Sequence, residues 1–223
     1  ELIEIAESWP ETVSLQWNWG ERLEVYAVDC SSAASPSRHL EALDPFLGAD
    51  PQAAIQRCRD QLEQPGFGSL ASETVPSSPF HSEVIARLGP ALKQQGGALV
   101  EHLSARMRES PHSGCRISAQ QLGGATARIG SEQTSFIHRD SVWKPWITAA
   151  WDPGDLAGRE RSLAWMDEVS DSLSAVCPGV HLAQLHDHLT GHRQELEDAF
   201  GDWLPTLRQL KAELDPEGRF PPL

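Results

Sequence analysis

The residues best able to do chemistry in this chain are its histidines and the groups beside them. His138-Arg139-Asp140 sets a titratable ring next to a forked cation and a carboxylate. Such a triplet suits holding a polar substrate or the edge of a planar cofactor, and equally a salt-bridged structural turn. His181 stands alone in Val180-His181-Leu182, where an imidazole works as acid or base near neutral pH. His186-Asp187-His188 and His192 form a second cluster. On a helix His188 and His192 would share a face and could ligate a metal, with Asp187 orienting one ring. The alternative is a polar loop before the last helix. Gly123-Gly124 permits a close backbone approach or a simple strand bend. Trp17, Trp19, Trp143, Trp146 and Trp151 could line an aromatic pocket or fill the core behind one sheet.

Elements must position these groups. Val13, Leu15, Trp17 and Trp19 alternate as a strand does, and Leu23, Val25 and Ala27 repeat the pattern after a Gly20-Glu21-Arg22 turn, which predicts a β-hairpin. A short helix is expected around 39–43, and a longer one over 50–64 with Asp50 as N-cap and Pro51 at its first position. Residues 68–80 read as a Ser/Pro/Gly loop. Residues 82–109 read as mostly helical, broken at Gly89-Pro90. Strands are expected over 115–122, 124–129, 142–151 and 180–185, and helices over 157–176 and 191–213. Pro205 should kink or split the last helix. Short strands with hairpin-like links among helices give an α+β fold: an antiparallel sheet of about six or seven strands with helices packed on one face.

Composition narrows the function. With 32 acidic against 18 basic residues the net charge is −14, which disfavours nucleic acid and anionic membranes as partners. No apolar run reaches the roughly 18 residues of a membrane helix. Cys30, Cys58, Cys115 and Cys177 contain no close pair for zinc or redox work. They read as buried or half-buried thiols of a cytoplasmic protein, with two long-range disulfides as the alternative. No Gly-rich phosphate loop is visible.

Five stretches occur in a suggestive order. They are Leu122-Gly123-Gly124-Ala125, Thr134-Ser135-Phe136-Ile137-His138-Arg139-Asp140, Trp151-Asp152-Pro153, Ala199-Phe200-Gly201-Asp202-Trp203-Leu204, and the run from Leu207 to Phe220. In this order they resemble the C-terminal, substrate-side part of berberine-bridge-type FAD-linked oxidases, within the vanillyl-alcohol-oxidase-like superfamily. The resemblance covers about residues 80–223, with 1–79 as a hairpin-plus-helix entry to the same single domain. It implies a ferredoxin-like antiparallel sheet, FAD as the family cofactor, and a flavin-binding domain or subunit as partner, removed or separately encoded, since the chain starts at Glu1 without Met. It also implies a small organic substrate. A homodimer is left open.

The resemblance also marks departures. His181 takes the place of a Tyr, and Ala183 that of an Asn, on a strand that meets flavin and substrate. A carboxylate base of plant members falls near Arg128, which cannot accept a proton. The chain stops at Pro221-Pro222-Leu223, before the tail that touches the cofactor. The expected site is therefore His181 as catalytic group, with Gln121, His138, Arg139 and Trp146 facing substrate and Gly123 and Gly124 against the cofactor. Two other readings remain: a degenerate binding module without catalysis, and a metal-binding protein through His186–His192.

Overall fold

The computed structural model describes residues 1–30, 38–43, 79–182 and 192–220. Helix α1 (Leu2–Glu7) precedes the hairpin of β1 (Val13–Trp19) and β2 (Leu23–Asp29). After α2 (Arg38–Glu41) come β3 (His81–Leu88), α3 (Gly96–Arg108) and β4 (Arg116–Gln121). Two 3₁₀ turns, Gly124–Arg128 and Ser131–Gln133, lead to β5 (Trp143–Trp151). Helix α4 (Leu156–Ser174), β6 (Gly179–His181), α5 (His192–Phe200) and α6 (Trp203–Leu214) complete the order. The strands form one six-stranded sheet, β2-β1-β4-β5-β3-β6, antiparallel at every pairing. The expected α+β fold is present.

β5 shows why the sheet has two unlike faces. Trp143, Pro145, Ile147 and Ala149 are buried, while Lys144, Trp146 and Thr148 are half-buried. The first set meets α4, whose Leu163, Trp165, Met166, Val169 and Leu173 complete the core with Ile85, Ile117 and Leu103. Asp155 caps α4 by accepting from the Gly158 N–H at 2.8 Å. Trp165 Nε1 donates to the Arg106 carbonyl at 2.9 Å and fastens α4 to α3. Pro145 has no N–H to give. The β3–β5 ladder stops beside it, at Ala86↔Trp146, and returns only as the isolated bridge Gly89↔Trp143.

Three expectations are corrected. Residues 82–88 are strand β3, not helix: Val84 and Ile85 are β-branched, and Ile85, Ala86 and Leu88 are buried on both faces of the sheet. Residues 124–128 are a 3₁₀ turn rather than a strand, because Gly123 (φ 117°) and Gly124 (φ 57°) turn the chain out of the sheet. The last helix divides at Gly201 (φ 49°), upstream of Pro205, which sits in the first turn of α6 where no N–H is needed. Of the thiols, Cys115 and Cys177 are buried, but Cys30 is exposed, and these three are free. The 50–64 helix, Cys58, Ala183 and the strand beyond Leu182 lie outside the described residues. No helix among the described residues is long and apolar enough to cross a membrane.

Candidate active-site face

The face of the sheet turned away from α4 carries the candidate site. Directly paired residues in an antiparallel sheet point the same way. The register therefore draws a line across the whole sheet: Glu24, Asn18, Ser118, Trp146, Ala86 and His181. Beside it run Tyr26, Gln16, Gln120 and Lys144. The polar members interlock. Ser118 Oγ donates to Asn18 Oδ1 at 2.6 Å, and Asn18 Nδ2 and the Tyr26 hydroxyl both donate to Glu24 Oε2 at 3.2 Å. A shallow open depression of about 610 Å³ lies over this half, bounded by Gln16, Tyr26, Arg116, Trp146 and Phe80.

The other end is partly roofed. His138 Nε2–H donates to the Asp198 carbonyl of α5 at 2.9 Å, which pins the 134–140 segment. The His138 ring lies over Gly179, where an added Cβ would come within 2.7 Å of its Nδ1. Phe136 turns its edge to both His138 (6.2 Å between centroids) and His181 (6.3 Å). Arg139 spends Nε and Nη2 on Thr134 Oγ1 at 3.2 and 2.8 Å and lies 5.1 Å from the centre of the Phe136 ring. Thus His138 and Arg139 build the roof, and Phe136 carries it to His181.

His181 is the chemically unsettled group. Its Nδ1 is buried and finds no hydrogen-bond partner of standard geometry among the described residues. Burial, then the charges of Lys144 and His138, push its pKa below the usual imidazole value. Burial likewise lowers Lys144, whose Nζ stands 5.9 Å from the centre of the Trp146 ring.

The predicted site residues do not all meet. His181, His138 and Trp146 share the open face. Gln121 points to the opposite face, where its Oε1 accepts from Leu15 N at 3.0 Å and its Nε2 donates to the Ala6 carbonyl at 2.9 Å. Both ends of that amide are therefore committed to backbone. Gly123 and Gly124 form the exit from β4, and a Cβ on Gly124 would meet Glu11 at 3.5 Å. Arg128 pairs with Glu11. The tryptophans also divide: Trp17, Trp19, Trp143 and Trp151 pack on the core, and Trp146 alone faces outward. His186, Asp187 and His188 lie outside the described residues, among which no group of three His, Cys, Asp or Glu is placed to hold a metal. Sequence reasoning missed Lys144, Gln120, Asn18 and Ser118, although the period-two alternation of β5 puts Lys144 on the face of Trp146.

An all-antiparallel sheet covered by helices on one face, with a polar open face, invites comparison with known proteins. No family model matches the chain. It is 24% identical to the uncharacterized FAD-linked oxidoreductase YgaK of Bacillus subtilis over 93% of its own length and 50% of that protein. The solved structure of Physcomitrella patens BBE-like 1 superposes on 99% of the chain with a TM-score of 0.70 at 12% identity, using 48% of its own length. The fold is the berberine-bridge type. Berberine bridge enzyme from Eschscholzia californica shares it at a TM-score of 0.68 and 16% identity, over all of this chain and 51% of that one. A chitooligosaccharide oxidase does so at 0.63 and 17%, over 97% and 48%. The chain thus spans about half the length of YgaK and of these solved structures.

Proposed function

We propose that the open face forms the substrate-side wall of a flavin-dependent oxidation site whose FAD is held by a separate domain or subunit. The observation that carries this reading is the orphaned, buried His181 Nδ1 beneath the Phe136 roof, on the sheet face that carries no helix such as α4 among the described residues, within a fold whose relatives are about twice as long. The residues present suit the ring end of a flavin and its substrate. Trp146 offers a flat aromatic surface. Gln16 and Tyr26, in the wall of the adjoining depression, offer hydrogen-bonding groups on the same face. His138, Phe136 and Arg139 exclude water from one end. Bound FAD would supply the hydride acceptor. His181 would do the proton work: burial and the neighbouring positive charges favour its neutral form, in which a ring nitrogen can take a proton from a substrate hydroxyl or amine. The substrate is then a small organic molecule that reaches His181 across Trp146.

The test is reconstitution of the chain with its flavin-bearing portion, followed by single-turnover flavin bleaching on substrate addition. His181→Ala should slow bleaching by about 10²–10⁴-fold, the ordinary contribution of a positioned acid–base group, with flavin binding intact. Bleaching at the parent rate would remove His181 from the chemistry. A complex that takes up no flavin at all would favour a binding module without catalysis.

A further inference from the structure

We infer that Lys144, together with His181 and the Trp146 ring, is the docking point for an anionic group, a carboxylate or phenolate, carried on an aromatic substrate. This rests on the proposed substrate-side role of the open face and names the substrate class for it. The chain carries 32 acidic residues against 18 basic ones, so a counter-ion is cheap to supply. Arg106, Arg128, Arg193, Lys211 and Arg219 each pair with a carboxylate. Lys144 has none within ion-pair reach among the described residues, although it is half-buried at the centre of the sheet. Its neighbour on the open face is the Trp146 ring, and His181, two strands away on the same face, feels its charge. A half-buried cation with no carboxylate beside it among the described residues is an arrangement an incoming anion stabilises.

The spacing fits a ring-borne anion. Residues i and i+2 of a strand stand about 7 Å apart on one face. A planar ring stacked on Trp146 would project an attached carboxylate toward the Lys144 ammonium. The depression on the far side of Trp146, with Gln16 and Arg116 in its wall, leaves room for the rest of the molecule.

The experiment is titration of the chain with sodium benzoate, followed by Trp fluorescence and calorimetry, with benzamide as the neutral isostere. Benzoate should bind saturably and at least about tenfold more tightly than benzamide, the difference one charge-assisted hydrogen bond provides. Lys144→Gln should weaken benzoate about tenfold and leave benzamide unchanged, and Lys144→Arg should restore binding. Far-UV circular dichroism of each variant checks the fold, and His181→Gln gives an independent second reading through the other arm of the site. Equal affinity for benzoate and benzamide, the absence of saturable benzoate binding, or indifference to Lys144→Gln would each overturn the inference. Benzoate binding needs no flavin, so its outcome is separate from that of the bleaching experiment. Bleaching by neutral substrates alone would discard the anion site and keep the oxidation site.

Discussion

Glu7 is the residue whose removal tests the architecture behind the site most sharply. Its carboxylate, at the end of α1, accepts from Trp143 Nε1 at 2.7 Å, Leu92 N at 2.5 Å and Lys93 N at 3.2 Å. It thereby joins the first helix to the turn after β3 and to the start of β5. Trp143 is 1% exposed, so Glu7→Ala strands a buried indole N–H, at a cost of about 1–3 kcal/mol. The two backbone N–H groups regain partial hydration, which adds about 1 kcal/mol. A total near 2–4 kcal/mol is expected, a fall in Tm of roughly 5–12 °C for a domain of this size. Urea unfolding followed by circular dichroism measures it. In a Trp143→Phe background the donor is already gone, and the same Glu7→Ala change should cost about 1–3 kcal/mol less. Loss of under about 0.5 kcal/mol in the parent, or strict additivity in the cycle, would refute this account of the anchor. Lys144 follows Trp143 in β5 and points the opposite way, so the same anchor fixes the strand that presents the proposed anion site.

Gly179→Ala should destabilise by about 1–3 kcal/mol, since the new Cβ lands within 2.7 Å of His138 Nδ1 and 3.0 Å of Leu88 Cβ. Imidazole NMR should show His138 displaced from the Asp198 carbonyl. His181 should titrate below the usual imidazole value, and Lys144→Gln should raise its pKa by removing a neighbouring positive charge, both read from its ring proton shifts. A depressed folded pKa means the unfolded chain binds the proton more tightly. The His181 contribution to stability is therefore complete above about pH 6.5 and is lost as pH falls through the folded value. Asp215 is held down to about 2 by the Lys211 side chain first and then by the Phe220 and Arg219 backbone N–H groups. Its lock on the end of α6 should hold above the unfolded value near 3.8 and open as pH falls through about 2, seen as exchange of the Arg219 and Phe220 amides.

The sequence made legible those elements with one exposed side. In β1, β2 and β5 the period of two survives because one face meets the core and the other meets water. β3 was unreadable for the opposite reason: Ile85 serves the core, while Ala86 and Leu88 are covered from the other face, so no alternation remains. The spacing of Val84, Ile85 and Leu88 then imitates a helix turn. Within the site, the imidazoles were visible by type, and Trp146 by its setting among aromatics. The direction of Gln121 was hidden, because nothing local says which neighbour a strand acquires, and its opposition to Leu15 depends on a partner 106 residues away. That Lys144 meets no carboxylate among the described residues was hidden too, since this is a property of the other strands and not of β5.

The strand order also governs how the chain reaches this state. Apart from the β1–β2 hairpin and the consecutive pair β4–β5, the strands lie beside neighbours remote in sequence: Gln16 must find Gln120, and His81 must find Trp151. Loop closure over such separations is slow, and strands awaiting partners offer bare edges to other chains. The hairpin stays without its β4 neighbour until residues 116–121 are made. Production at low temperature and low expression rate should therefore raise the soluble yield more than any single surface substitution.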